Sequence, residues 1–135
     1  MAFEDDLIVR LVARGVGVYG TSIFVSSKAI IPDGAGPYLS ITATGGAGPL
    51  RTQNAVATPA YQRPSAQLVA RATTYAAAKT MARAAYDALV GVRNEAINGV
   101  YYREINPVQE PFDLGLDVRG RACSAFNVSC VRRPS

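Results

Sequence analysis

Residues 64–92, PSAQLVARATTYAAAKTMARAAYDALVGV, read as a short strand running directly into the one long helix that this chain can make. From Tyr75 the inward-suited residues recur as Tyr75, Ala78, Ala82, Ala85, Leu89 and Val92, a 3-4 spacing that lines up one stripe of an α-helix, widened by Met81 and Tyr86. Lys79, Arg83, Asp87 and Arg93 fall toward the other side, and Arg83 with Asp87 makes an i,i+4 pair contributing about 0.3 kcal/mol. Thr73 or Thr74 can cap the start by accepting from an unpaired backbone N–H, and Gly91 loosens the end, so the spacing predicts a helix over residues 75–90. A stripe built mainly of alanine lets another backbone approach closely, but it removes little apolar area from water, at roughly 25 cal/mol per Å². Neighbouring strands, or a copy of the chain, must therefore supply the rest of the burial.

Working outward, 135 residues suffice for one domain with its own core, and no boundary divides residues 1–135. No apolar run reaches the length of a membrane span and no charged-then-apolar leader opens the chain, so no membrane partner and synthesis in a cytoplasm are expected. Cys123 and Cys130 lie seven apart in one predicted strand and point to opposite faces, which predicts buried thiols rather than a disulfide. The absence of histidine removes Cys/His zinc sites and histidine-dependent nucleophile pairs, and no cofactor is expected.

Charge is unevenly spread. Residues 1–117 hold ten basic and ten acidic side chains, whereas residues 118–135 hold Arg119, Arg121, Arg132 and Arg133 and no acid, so the net charge of +4 lies in the last stretch. Twelve arginines against two lysines favour planar, hydrogen-bonded contacts with acidic protein surfaces or nucleic acid.

At the start, EDDLIVRLVAR at 4–14 places Leu7, Ile8, Leu11 and Val12 on one face with Phe3 a turn earlier, a predicted amphipathic helix. Glu4, Asp5 and Asp6 suit its N-terminal dipole, and Arg10 and Arg14 its C-terminal end. SIFVS at 22–26 and YLSITAT at 38–44 read as strands around the turn IPDGAGP, the beginning of an antiparallel meander. Residues 45–63, GGAGPLRTQNAVATPAYQR, have no steady period and read as a long loop or arm. This arm offers Leu50, Val56 and Tyr61 as anchors and Arg51 and Arg63 as hydrogen-bonding groups, and it is expected to become ordered against another subunit. Asn98-Gly99 marks a tight turn into a strand at 100–108 that Pro107 confines to an edge or cuts short, 109–117 reads as a loop, and 121–132 as a long last strand with Ala122, Ser124, Phe126, Val128 and Cys130 on one face. The order predicts an α+β fold in which an N-terminal helix and one long central helix pack on a mostly antiparallel β-sheet.

Three stretches taken together, TGGAGPLRTQN at 44–54, YQRPSAQLVARATTYAAAKTMARAAYDAL at 61–89 and NGVYYREINPVQEPFDLGLDVRGRACSAFNV at 98–128, resemble the tail terminator proteins of long-tailed bacteriophages, also called tail completion or minor capsid neck proteins. The most specific piece runs from Gln109 through Gly115 and Asp117 to Arg121 and Asn127. The resemblance implies a structural virion protein at the tail-neck junction. It would form a homo-hexameric ring that caps the tail tube, ends polymerisation of the tail tube protein, and offers a docking surface to the head-completion or stopper (connector) protein. Candidate subunit or partner contacts are Leu50, Arg51, Asn54, Tyr61, Arg63, Asp117, Arg119 and Arg121, with the alanine face of the long helix and the strand edge near Pro107 as further surfaces. Arg132 and Arg133 are candidates for a position near the lumen, where passing genomic DNA would be held non-specifically. Asp117 with Arg119 or Arg121 reads either as a local turn pair or as an ion pair across subunits.

A competing class is a small basic nucleic-acid-binding module using the arginine-rich last strand, but only Phe126 lies among those arginines as a stacking surface. Catalysis is not expected: Glu104, Glu110, Asp113 and Asp117 have no companion nucleophile or metal ligand at a defined spacing.

Overall fold

The alternation read in the last strand does organise the molecule. The computed structural model describes residues 3–25, 36–45, 47–50, 61–117 and 120–133, with the backbone alone for 47–50. Among them are helices α1 (Phe3–Ala13) and α2 (Tyr75–Val90) and strands β1 (Ile23–Val25), β2 (Tyr38–Ala43), β3 (Ala47–Leu50), β4 (Tyr61–Arg63), β5 (Ser65–Ala72), β6 (Arg93–Ile97), β7 (Val100–Pro107), β8 (Phe112–Leu116) and β9 (Ala122–Arg132). All nine strands belong to one mostly antiparallel sheet with β9 at its centre, and both helices lie on it, an α+β fold. No helix among the described residues is long and apolar enough to cross a membrane.

On one side of β9 runs a single long hairpin. β2 pairs with β5 from Tyr38↔Arg71 to Ala43↔Ala66, the Thr44 N–H donates to Ser65 O at 2.9 Å, and β3 continues against β4 through Ala47↔Arg63 and Leu50↔Tyr61. Pro64 divides β4 from β5 without breaking the row, because its carbonyl accepts from Cys130 N (2.9 Å) between the pairs Gln62↔Arg132 and Ser65↔Ser129. The two ends of the segment read as an unpatterned loop therefore extend the hairpin, while Gly46 and residues 51–60 lie outside the described residues.

On the other side of β9, β7 and β8 follow one another along the same partner. The break at residues 108–111 is bridged by Val108 N donating to Asn127 O (2.8 Å) and by the Gln109 side chain, whose Oε1 accepts from Asn127 N (3.3 Å). Residues 112–116, expected in a loop, are a strand because β9 offers them an unpaired edge. Pro107 ends β7 opposite Val128, at the point where a missing N–H costs least. β6 is a further strand that the pattern of the chain does not announce; it forms a two-residue hairpin with β7 through Asn98 and Gly99, both at positive φ (53° and 81°). β1 pairs with β2 in parallel, so the meander expected at 22–44 is not a hairpin there.

Alternation then sorts the side chains. Ala66, Leu68 and Ala70 of β5, Leu39 and Ile41 of β2, and Phe126, Val128 and Cys130 of β9 face the helices and are buried. α2 runs from Tyr75 to Val90 as predicted, with the Thr74 hydroxyl accepting from Ala77 N at 3.2 Å. Its alanine stripe, Ala78, Ala82, Ala85 and Ala88, is buried on the chain's own sheet, so that face does not meet a neighbouring subunit. Tyr86 meets Phe126 edge to face at 5.8 Å, while Tyr75 stays about half exposed. In α1, Phe3, Leu7, Ile8 and Leu11 are buried, Val12 is not, and Asp6, assigned above to the helix dipole, is buried completely.

Candidate assembly surfaces

Three features on this scaffold bear on assembly: two aspartate–arginine pairs that bracket β9, an apolar edge near its start and an arginine end near its finish. At the start, Asp117 accepts from both the backbone N and the Nε of Arg121, each at 2.9 Å, and the Asp117 N–H returns a bond to Arg121 O at 2.9 Å. This is the local turn geometry; both side chains are largely withdrawn from solvent. At the finish, Arg132 turns inward. Its Nη1 donates to Asp6 Oδ2 at 3.2 Å, the Tyr102 hydroxyl donates to the same oxygen at 2.6 Å, and Asn98 Nδ2 donates to Asp6 Oδ1 at 3.1 Å. The Phe3 ring lies 5.7 Å below the Arg132 guanidinium. Burial, reinforced by the hydrogen bond to the Asp6 carboxylate, raises the Tyr102 phenol far above its ordinary pKa. The expectation that Arg132 stands near DNA does not hold for its side chain, because a charge this deep is stabilised only by the carboxylate it pairs with.

A second clamp lies beside the first. Arg10, also read as a dipole partner, donates to both Glu95 carboxylate oxygens (2.9 and 3.1 Å) and to Ala88 O (3.0 Å), tying α1 to β6 and α2. Neither Asp6 nor Arg10 stood out in the sequence. The usable signal was their position on the same helical side as Phe3, Leu7 and Leu11, which would have put them at the margin of the buried stripe.

The apolar edge is β8. Every residue of it is exposed, including Phe112, Leu114 and Leu116, and Val108 just before it is exposed as well. Four of the ten exposed large apolar side chains among the described residues thus fall within nine positions, along a strand that pairs only with β9. Next to it, a groove of about 810 Å³ runs between the outer side of α2, at Tyr75, Ala76, Thr80 and Ala84, and Pro111. Arg83 spans this groove, pairing with Glu110 and lying 3.5 Å from Asp87. The Asp113 carboxylate beside the Tyr75 phenol raises its pKa.

At the arginine end, the Arg133 guanidinium stacks 4.6 Å over Tyr101 and that of Arg103 lies 6.0 Å over Tyr61. Arg93 pairs with Glu104 at 3.1 Å. Of the other candidate contacts, Tyr61 and Arg63 are half-buried on β4, and Leu50 closes the pairing of β3, of which the backbone alone is described. Arg51, Asn54 and Arg119 lie outside the described residues. The structure therefore brings Tyr61 to Arg103 and Asp117 to Arg121, and separates Arg132 from Arg133. Cys130 is buried, Cys123 is half-buried, and both thiols are free.

Comparison with known proteins adds two findings. A family model described as bacteriophage tail terminator protein matches residues 10–131. A solved chain in the virion of a native gene transfer agent (GTA) particle has the same fold, with a TM-score of 0.59 at 16% identity over 92% of this chain and 84% of that one. No curated protein matches the chain.

Proposed function

The chain belongs to the bacteriophage tail terminator family, structural proteins of the virion, and from that premise we propose that it closes into a hexameric ring on the last layer of the tail tube. The ring stops further addition of tube protein and presents its far surface to the head-completion or stopper protein. The observation that carries this reading beyond the family is the exposed β8 edge. A lone subunit that leaves Val108, Phe112, Leu114 and Leu116 in water keeps unburied an apolar strip of the kind that marks protein contacts. Covering one leucine fully is worth about 1.5–3 kcal/mol.

Ring closure requires a heterologous contact, with two different patches on each subunit. The β8 edge with the α2 groove is one. The other is the hairpin of β2 to β5, whose β3–β4 end passes the last pair with β9 at Gln62↔Arg132 and so stands clear of the sheet centre. Asp117 and Arg121 hold the turn at the foot of β8 and would set the angle of that edge, whether or not they touch a neighbour themselves.

Electron microscopy of particles lacking this protein tests the reading. It predicts filled heads separate from tails, with the tails overlong or ragged at the head-proximal end. Tails of normal length joined to heads in its absence would overturn it.

A further inference from the structure

The molecule offers two kinds of concave surface, and they differ in chemistry. The groove along α2 has mainly apolar walls, the composition of a protein contact. At the opposite end of the sheet, Arg93, Asn94, Arg103, Glu104 and Val131 line a concavity of about 480 Å³ whose walls are mainly polar. Arg133 follows Val131 by two positions, on the same side of the strand, and its backbone N–H donates to Tyr101 O at 2.9 Å. The Tyr101 hydroxyl donates in turn to Asn94 Oδ1 at 2.7 Å, which joins the two halves of the patch. Among the described residues, three exposed guanidiniums stand here against the carboxylate of Glu104, a surplus of two positive charges.

We propose that this arginine end is a binding site for the phosphate backbone of duplex DNA, engaged without sequence preference through Arg93, Arg103 and Arg133. Two of the three guanidiniums lie over tyrosine rings, which hold the planar group in place without neutralising it and leave its N–H edge free to pair with phosphate oxygens. A polar, strongly positive surface with little apolar core is the composition of a DNA contact rather than of a protein contact. Because the Tyr61 and Tyr101 faces are already occupied by arginines, no aromatic platform remains here among the described residues for unstacked bases, and the site is suited to phosphates. The site arises from the β6–β7 hairpin and Arg133, while the other described arginines of the basic run at 118–135, Arg121 and Arg132, are held by aspartates inside the chain. It does not depend on the ring: a chain that never closed a ring could carry it, and a ring could close without it.

The test is binding of a short labelled duplex to the full chain, followed by fluorescence anisotropy across a salt series, with the mass of the protein recorded in parallel. Each phosphate neutralised contributes about 0.9 to the slope of log affinity against log salt. The triple variant R93Q/R103Q/R133Q should therefore lose roughly 2–3 of that slope and at least about tenfold in affinity at low salt. Arg14→Gln, an exposed arginine at the end of α1, should change neither. If the triple variant melts early, R103Q and R133Q taken singly should each lower the slope by about 1. Wild-type affinity and slope in the arginine variants would overturn the proposal. So would a wild-type chain that ignores the duplex, whether it binds polyglutamate through the same three arginines, which would make the partner an acidic protein, or binds neither probe.

Discussion

At its start β9 is preceded by Arg121, held by Asp117 four positions back; at its finish it ends in Arg132, held by Asp6 from the other end of the chain. Eleven residues of extended chain put the two brackets roughly 35 Å apart. The first pair is local and shapes a turn, so it can form before the rest of the sheet. The second closes only when α1, the β6–β7 turn and β9 have met, and it fastens the first helix to the last strand. Beyond each bracket the surfaces diverge as well, an apolar edge on one side and stacked arginines on the other. The charge of a segment and the charge of a surface are thus different things: two arginines of the basic final stretch are inside, and the exposed excess comes from Arg133 together with a hairpin whose sequence is not basic overall.

The comparison breaks most readily at Asp6. Replacing it by alanine leaves Arg132 buried without a carboxylate, and the expected loss is about 3–5 kcal/mol of folding stability, measured by denaturant unfolding. A loss below about 1 kcal/mol would mean that water reaches Arg132 and that the two brackets are equivalent. Asp117→Ala removes two hydrogen bonds at a less enclosed site and should cost about 1.5–3 kcal/mol while leaving Asp6–Arg132 intact. The two losses should add, since no group is shared between them.

The thiols sharpen the same contrast with a smaller effect. Cys130, next to the Arg132 bracket, is buried and its pKa is pushed up to about 12; Cys123, next to the Arg121 bracket, is half-buried and raised mainly by burial and then by the Asp117 charge. In the native protein Cys123 should therefore alkylate first, and Cys130 only when the chain unfolds. The sign for stability follows from the same burial. The folded chain keeps the Cys130 proton where the unfolded chain loses it, so the contribution is intact below about pH 9 and is lost as pH rises toward about 12. Tyr102 adds in the same direction. Cys130→Ala should make the alkaline fall of unfolding free energy shallower, and an unchanged slope would show that the other raised groups, Tyr102 first, carry it.

Much of the scaffold was legible because period and punctuation agreed. The Thr74 cap, the helix over 75–90 and the alternation of β9 all express local rules, and the α+β class follows from them. The misses have a common physical origin. β8 follows Pro111, contains Gly115 and has no buried face, so no pattern marks it; it is a strand because β9 has an edge to offer and Gln109 patches the break. β6 is short and largely exposed, although Asn98-Gly99 was a hairpin signal whose first arm could have been sought. Three adjacent acids on α1 look interchangeable as dipole partners; the side of the helix that Asp6 shares with Phe3 and Leu7 sets it apart, but its partners Tyr102 and Arg132 are supplied only by the fold. The candidate contact residues were legible as types, tyrosine and arginine in unpatterned segments, but their partners were not, because Tyr61 and Arg103 are neighbours through the sheet and not through the chain.

The ring proposed above rests on the incomplete apolar edge of β8 being covered by a neighbouring copy at the end of the tail. Imaging the head–tail junction of intact particles tests it most directly. Ring closure through β8 predicts six copies in one ring at that junction, each burying Phe112, Leu114 and Leu116 against its neighbour. The same protein found away from the junction, or present there with those three side chains facing solvent, would contradict it.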